Sequence, residues 1–152
     1  MRTMRVYADT SVFGGCYDEK FRIASRQFFD EVARGRFCLI VSGVTAEELH
    51  DAPERVRAVL ALVSPDKLEY HEITDEMEEL QRAYLSAGVL SEASDADALH
   101  VAAATVLNVD MIVSWNFKHI VHFDRIRGFN AVNQMKGYKQ IGIFSPMEVV
   151  EQ

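Results

Sequence analysis

The stretch Phe37-Cys38-Leu39-Ile40-Val41-Ser42-Gly43 decides the fold. Its apolar run has no polar alternation, so both faces need cover, and it is too short to be a helix of ordinary length. A strand inside a parallel sheet with helices on both sides meets both conditions. Upstream, Phe21, Ala24, Phe28 and Val32 recur at helical spacing and stop at Gly35. Before them, Arg5-Val6-Tyr7-Ala8 is another β-prone run, closed by Asp9-Thr10-Ser11 and a loop holding Gly14-Gly15. The order is β-α-β, the unit from which parallel sheets are built.

Downstream the alternation continues. A short helix is expected from Thr45 to about His50, then a second after Pro53 with Val56, Val59, Leu60 and Val63 on one face, stopped by Ser64-Pro65. Leu68 to Ile73 reads as a strand. Asp75 to Ala87 carries Met77, Leu80, Tyr84 and Ala87 in helical register, with Gly88 to close it. From Asp95 to Leu107 the helix-spaced Leu99, Ala102, Ala103 and Val106 are interleaved with further Ala and Val, which predicts a helix buried on several sides. Met111 to Ser114 is a strand, a helical stretch follows to about Met135, and Ile141 to Phe144 is the last strand. Together these predict an α/β three-layer sandwich with a central parallel sheet of four to five strands. At 152 residues and 49% hydrophobic content, one domain over residues 1–152 is expected.

Composition narrows the function. No apolar run approaches the ~20 residues of a membrane span, and no apolar stretch follows the basic start in signal-peptide fashion, so a cytoplasmic protein with no membrane partner is expected. Cys16 and Cys38 lack metal-ligand spacing and are expected as reduced thiols, Cys38 within a strand. A formal charge of -7 argues against nonspecific coating of nucleic acid. The charge is uneven, however. Phe117 to Gln140 holds Lys118, Arg125, Arg127, Lys136 and Lys139 against Asp124 alone, a local +4 that leaves -11 for the rest. These cations are either a solvated helical face or the place where a phosphate-bearing partner would meet the chain.

Open parallel sheets bind ligands beyond the carboxyl ends of their strands. Asp9 follows the first strand, Glu48 lies just after the second, Asp97 begins a helix, and Ser114-Trp115-Asn116 follows a later strand. Each has a local explanation. Thr45 to Glu48 and Ser94 to Asp97 both fit capping boxes, and Asp9-Thr10-Ser11 fits a turn. Jointly they point elsewhere, because carboxylates gathered at one edge repel unless a hard cation joins them.

At these positions the sequence resembles the PIN domains, and within them the VapC-like toxins of prokaryotic toxin–antitoxin pairs. Val6-Tyr7-Ala8-Asp9-Thr10-Ser11-Val12 is similar to the family's opening strand and first acid. Val41-Ser42-Gly43-Val44-Thr45-Ala46-Glu47-Glu48-Leu49 resembles its strand followed by a Glu-Leu pair, and Asp97-Ala98-Leu99-His100-Val101-Ala102-Ala103-Ala104 its Asp-led, Ala-rich helix. Ile112-Val113-Ser114-Trp115-Asn116 aligns with a strand ending in Ser-x-Asp or Thr-x-Asp, with Asn116 in place of the acid. The resemblance implies a ribonuclease with Asp9, Glu48, Asp97 and Asn116 at the catalytic site. Asp9, Glu48 and Asp97 would hold Mg²⁺ or Mn²⁺, and Asn116 brings no charge, which leaves one metal or two open.

The resemblance further implies an RNA substrate, a cognate antitoxin, and a homodimer or higher homo-oligomer. The alternative is a catalytically weak PIN module that binds RNA or a protein partner. Thr10 and Ser11 are candidate helpers beside Asp9. Asp95 competes with Asp97, since residues two apart on a helix diverge, and the family pattern favours Asp97. His100 reads as a hydrogen-bonded core residue. His119 and His122, three apart on an expected helix, form a possible metal pair with no third ligand and stay unassigned. A phosphatase-like or receiver-like domain would also place an acid after the first strand, but no Asp-x-Asp follows that strand and no convincing switch lysine follows a later one.

Overall fold

The computed structural model describes residues 2–152. Five parallel strands form one sheet in the order β3-β2-β1-β4-β5: β1 (Met4–Ala8), β2 (Phe37–Ser42), β3 (Leu68–His71), β4 (Met111–Val113) and β5 (Gly142–Phe144). The register aligns Val6 with Leu39 on one side and Met111 on the other. Side chains alternate across this sheet. Tyr7, Ile40 and Ile112 face one core, together with Leu80, Tyr84, Val101 and Phe129; Val6, Leu39, Val41 and Val113 face another, with Phe13, Phe28 and Phe37. The unbroken apolar run of β2 follows from this double burial.

The helices cover the two faces: α1 (Thr10–Gly15), α2 (Arg22–Ala33), α3 (Gly43–His50), α4 (Glu54–Ala61), α5 (Asp75–Ser86), α6 (Asp95–Val106), α7 (Phe123–Met135) and α8 (Pro146–Val149). Helices α5 and α6 pack against each other over the face carried by Tyr7, while α1, α2 and α4 cover the other. Gly35 and Gly88 take positive φ, 86° and 75°, just after α2 and α5, the left-handed conformation that stops a helix without a Cβ clash. Among the described residues no helix is long and apolar enough to cross a membrane. Cys16 and Cys38 are free thiols, the first buried and the second half-buried on β2.

Several local expectations need correction. The loop expected at Asp9 to Gly15 is helix α1. Burying Val12 and Phe13 completely contributes about 1.5–3 kcal/mol each, which outweighs the ~1 kcal/mol helix penalty of each glycine. Gly15 is required there, since a Cβ would come within 2.6 Å of Trp115 Nε1. Helix α3 begins at Gly43 rather than Thr45, so Ser42 is its cap and Thr45 Oγ1 accepts the Ser42 N–H at 3.3 Å. The cap is therefore one turn earlier than the Thr45 to Glu48 pattern implied, and Glu48 is free of it. The helical stretch expected after Asn116 starts only at Phe123; residues 117–120 form a turn, Val121 a bend, and His122, with extended backbone, is the N-cap position of α7.

Candidate active site at the carboxyl edge of the sheet

Asp9 leaves β1 at the N-cap position of α1 and is 4% exposed. Its Oδ1 accepts from Ser11 Oγ at 2.6 Å. Burial disfavours the ionised carboxyl and pushes its pKa up; the charge of His100 and the Ser11 and Ser114 hydroxyls oppose that push, while the Asp97 charge reinforces it. Asp9 and Asp97, 88 positions apart, are thus close enough for like-charge repulsion across the edge of the sheet.

Glu48 reaches the same edge from α3, freed from capping by Ser42. Its Oε1 accepts from Thr10 Oγ1 at 2.6 Å and pairs with His100 Nε2 at 2.6 Å. Thr10 follows Asp9 directly, so the second acid is tied to the first through one hydroxyl. Burial would raise the Glu48 pKa, but the hydrogen bond and charge of His100, with Thr10, lower it.

His100 is the junction of the network. It projects from α6 with its ring 1% exposed, and Nδ1 lies 2.7 Å from the Tyr7 hydroxyl, itself 2.7 Å from Ser42 Oγ. Burial works against a charge on His100. The Tyr7 oxygen, the Glu48 hydrogen bond and the Asp9 and Glu48 carboxylates outweigh it, and its pKa is pushed up to about 10. As an imidazolium it donates from Nε2 to Glu48 and from Nδ1 to Tyr7, whose own proton then goes to Ser42.

Asp97 occupies the first turn of α6, where Ser94 is the N-cap position without a side-chain capping bond. The capping-box reading of Ser94 to Asp97 is therefore not realised. Asp97 Oδ2 instead pairs with His119 Nδ1 at 2.9 Å. Its rival Asp95 is exposed, and only its backbone carbonyl is engaged, by Gln81.

Asn116 follows β4. Its Oδ1 accepts the His119 N–H at 2.9 Å, and its own N–H donates to Ser114 Oγ at 2.9 Å. The fourth motif is docked on the first: Trp115 N donates to Ser11 Oγ at 2.9 Å, its indole N–H donates to Ser25 Oγ at 2.7 Å, and its ring stacks on Phe21 at 4.1 Å.

The structure thus gathers Asp9, Glu48 and Asp97 at one edge and adds two histidines, His100, the hydrogen-bonded core residue expected from the sequence, and His119, which the sequence left unassigned. Among the described residues, no three acidic, histidine or cysteine side chains already stand in ligating positions for one ion. The donor chemistry nonetheless fits a hard cation. Glu48 Oε2 and Asp97 Oδ1 have no hydrogen-bond partner among the described residues, and a buried Asp9 beside the Asp97 charge is the situation a divalent ion relieves. His119 also borders a cavity of about 510 Å³ with Ser94, Leu90 and Arg125. Lys118, Arg125, Arg127, Lys136 and Lys139 form no ion pair among the described residues, whereas Arg2, Arg5, Arg34 and Arg36 are all paired with acids.

No family model matches the chain, and no curated protein matches it by sequence. Solved structures do match. VapBC2 from Rickettsia felis, bound to a DNA fragment from its promoter, aligns with a TM-score of 0.59 and 14% identity over 93% of this chain and 98% of that one. VapC20 of Mycobacterium tuberculosis, a Sarcin-Ricin loop cleaving toxin, aligns at 0.55 and 14% over 90% and 98%. At that identity the likeness is one of fold: the chain has the α/β architecture of the VapC-like PIN structures.

Proposed function

We propose that this chain is a metal-dependent endoribonuclease, the toxin of a type II toxin–antitoxin pair. The observation that carries the reading is the meeting of Asp9, Glu48 and Asp97 at the carboxyl edge of a VapC-like sheet, with Asp9 buried beside the charge of Asp97. The Sarcin-Ricin loop cleavage named for VapC20 supports the substrate class. The partners on this reading are RNA, a cognate antitoxin and further copies of the chain, in the cytoplasm.

Asp9, Glu48 and Asp97 would hold Mg²⁺ or Mn²⁺, which supplies a Lewis acid for the scissile phosphate and a more acidic water. The chain's own groups do the rest. Asp9 stays fixed by Ser11, and Thr10 and His100 pin one oxygen of Glu48 and leave the other available. A carboxylate of the three accepts the proton of the attacking water. Unpaired cations between Lys118 and Lys139 hold flanking phosphates, which favours single-stranded or loop RNA able to reach a recessed site.

The test is incubation of the purified protein with single-stranded RNA in Mg²⁺, in Mn²⁺ and in excess EDTA. Cleavage that needs the ion and disappears in Asp9→Asn supports the nuclease. A second reading, a weak PIN module that binds RNA or protein, draws on the pairing of two acids with histidines and on the neutral Asn116. RNA binding with no cleavage in either ion would favour it.

A further inference from the structure

Asn116 stands where a fourth acid is expected, yet its side-chain oxygen and its backbone N–H and carbonyl are engaged by its own turn. Its side-chain Oδ1 accepts His119 N–H at 2.9 Å, and its backbone carbonyl accepts from Ile120 at 3.0 Å and Val121 at 2.8 Å. One residue thus takes three amide protons and folds residues 116–121 into a closed loop, in the way Asx side chains satisfy backbone a few residues on. Both ends of the loop are held. Trp115 N–H bonds Ser11 Oγ of the first motif at 2.9 Å, and Ile120 is fully buried in the core. The residue this loop presents to the acids is His119, with Nδ1 at 2.9 Å from Asp97 Oδ2.

We infer that His119 is a positioning residue for Asp97 and that Asn116 serves the site only by shaping the turn that delivers it. The fourth contribution to the edge is then a hydrogen-bond donor that orients an acid, where a fourth acid would have added charge. Asp97 is partly exposed on the first turn of α6, where its carboxylate would otherwise sample several rotamers. A donor on Oδ2 fixes the plane of the carboxylate and leaves Oδ1 for an ion. Ligating carboxylates are commonly oriented by such hydrogen bonds, and losing them typically costs 10–100-fold in metal affinity. The histidine's other nitrogen has only Ser94 Oγ at 3.5 Å, a marginal contact, so Asp97 is its principal partner.

This inference rests on the nuclease reading for the metal, and its test separates the two. Mn²⁺ titration calorimetry on wild type, His119→Ala, His119→Asn, Asn116→Ala and Asn116→Asp is the measurement, with melting curves for each. His119→Ala should weaken Mn²⁺ about tenfold or more at unchanged stoichiometry. His119→Asn, whose amide can donate from a similar reach, should recover most of the loss. Asn116→Ala should behave as His119→Ala, while Asn116→Asp, whose carboxylate still accepts the His119 N–H, should keep wild-type affinity and stoichiometry. In cleavage, His119→Ala should lower kcat with little change in KM. Wild-type or tighter Mn²⁺ binding by His119→Ala, or a second ion bound by Asn116→Asp, overturns the inference. If wild type itself binds no Mn²⁺, the nuclease reading falls, and the pairing is judged by the imidazole ¹⁵N spectrum of His119. An environment that Asp97→Asn and Asn116→Ala both alter supports the pairing; an unaltered one overturns it.

Discussion

His100 Nε2 and Glu48 Oε1 lie 2.6 Å apart across 52 residues of chain, which makes a buried helix residue the anchor of an acid on a different helix. Removing the imidazole leaves Glu48 with Thr10 alone and strands the Tyr7 hydroxyl against Ser42. His100→Ala should destabilise the fold by about 2–3 kcal/mol, the usual cost of leaving buried polar groups without partners. Urea unfolding measures it; a loss under about 0.5 kcal/mol would mean the network contributes little.

The same pair sets a pH dependence. His100 has its folded pKa pushed up to about 10, above the ordinary 6.5, so its contribution is fully present below pH 6.5 and is lost as pH rises toward 10. Glu48 is depressed, so its contribution is present above its ordinary value of 4.5 and is lost as pH falls through its folded value. Without divalent ions, stability should therefore decline between pH 6.5 and about 10. In His100→Gln that decline should flatten. A wild-type curve that stays level to pH 10 would show that His100 is neutral in the fold.

Asp9 is shifted in the direction opposite to Glu48. Its pKa is raised by burial and by Asp97, so above its ordinary value a titratable acid at this position works against the apo fold. Asp9→Asn should melt higher than wild type in EDTA while cleavage falls about a hundredfold or more, about 3 kcal/mol of barrier. Stability and activity moving in opposite directions is the signature of a group retained for function. A variant that melts lower and cleaves normally would place Asp9 among structural turn residues.

How much of this was legible in the sequence depends on the range of the interaction. The strands and the position of Asp9 follow from local pattern, because an apolar run and the polar residue ending it are neighbours, whereas Glu48 and Asp97 were singled out by the resemblance to the PIN family. Helix α1 was hidden because its glycines look like a loop, and the reason for Gly15 is Trp115, 100 residues later. The cap of α3 was misplaced by one turn because Ser42 and Thr45 are both good caps, and only the strand end picks Ser42. The histidine partners were illegible for the same reason as Gly15: His100 meets Glu48 and His119 meets Asp97 only once the sheet and the 117–120 turn exist.

Gly15→Ala tests that long-range packing. The added methyl must displace the indole of Trp115 or its bond to Ser25, and overpacking of this kind costs about 1–3 kcal/mol. Thermal melting should fall accordingly. Because Trp115 N also bonds Ser11 Oγ, beside Asp9, cleavage per folded molecule should drop as well. An unchanged melting temperature would mean the indole has room to move.

The last prediction concerns where RNA meets an acidic chain. A protein of net charge -7 attracts phosphates only where its field is locally reversed, and that place is the segment carrying Lys118, Arg125, Arg127, Lys136 and Lys139. Their exposure is uneven. Arg125 is half-buried with one guanidinium nitrogen on the Val89 carbonyl, while Lys118, Arg127, Lys136 and Lys139 are exposed. Lys118 adjoins His119, and so lies nearest the acids along the chain. Reversing Lys118 and Arg127 to Glu should weaken RNA binding and flatten its log-log salt dependence by about 0.7 unit for each phosphate no longer neutralised. Mn²⁺ affinity should not change, since neither residue supplies an oxygen to the site. If Lys136 and Lys139 reversed together have the same effect, the RNA path runs the length of α7; if only Lys118 matters, it stops at the turn. Salt slopes identical to wild type for both double variants would make this segment a solvated face and move the search to Arg22 and Arg26 on α2.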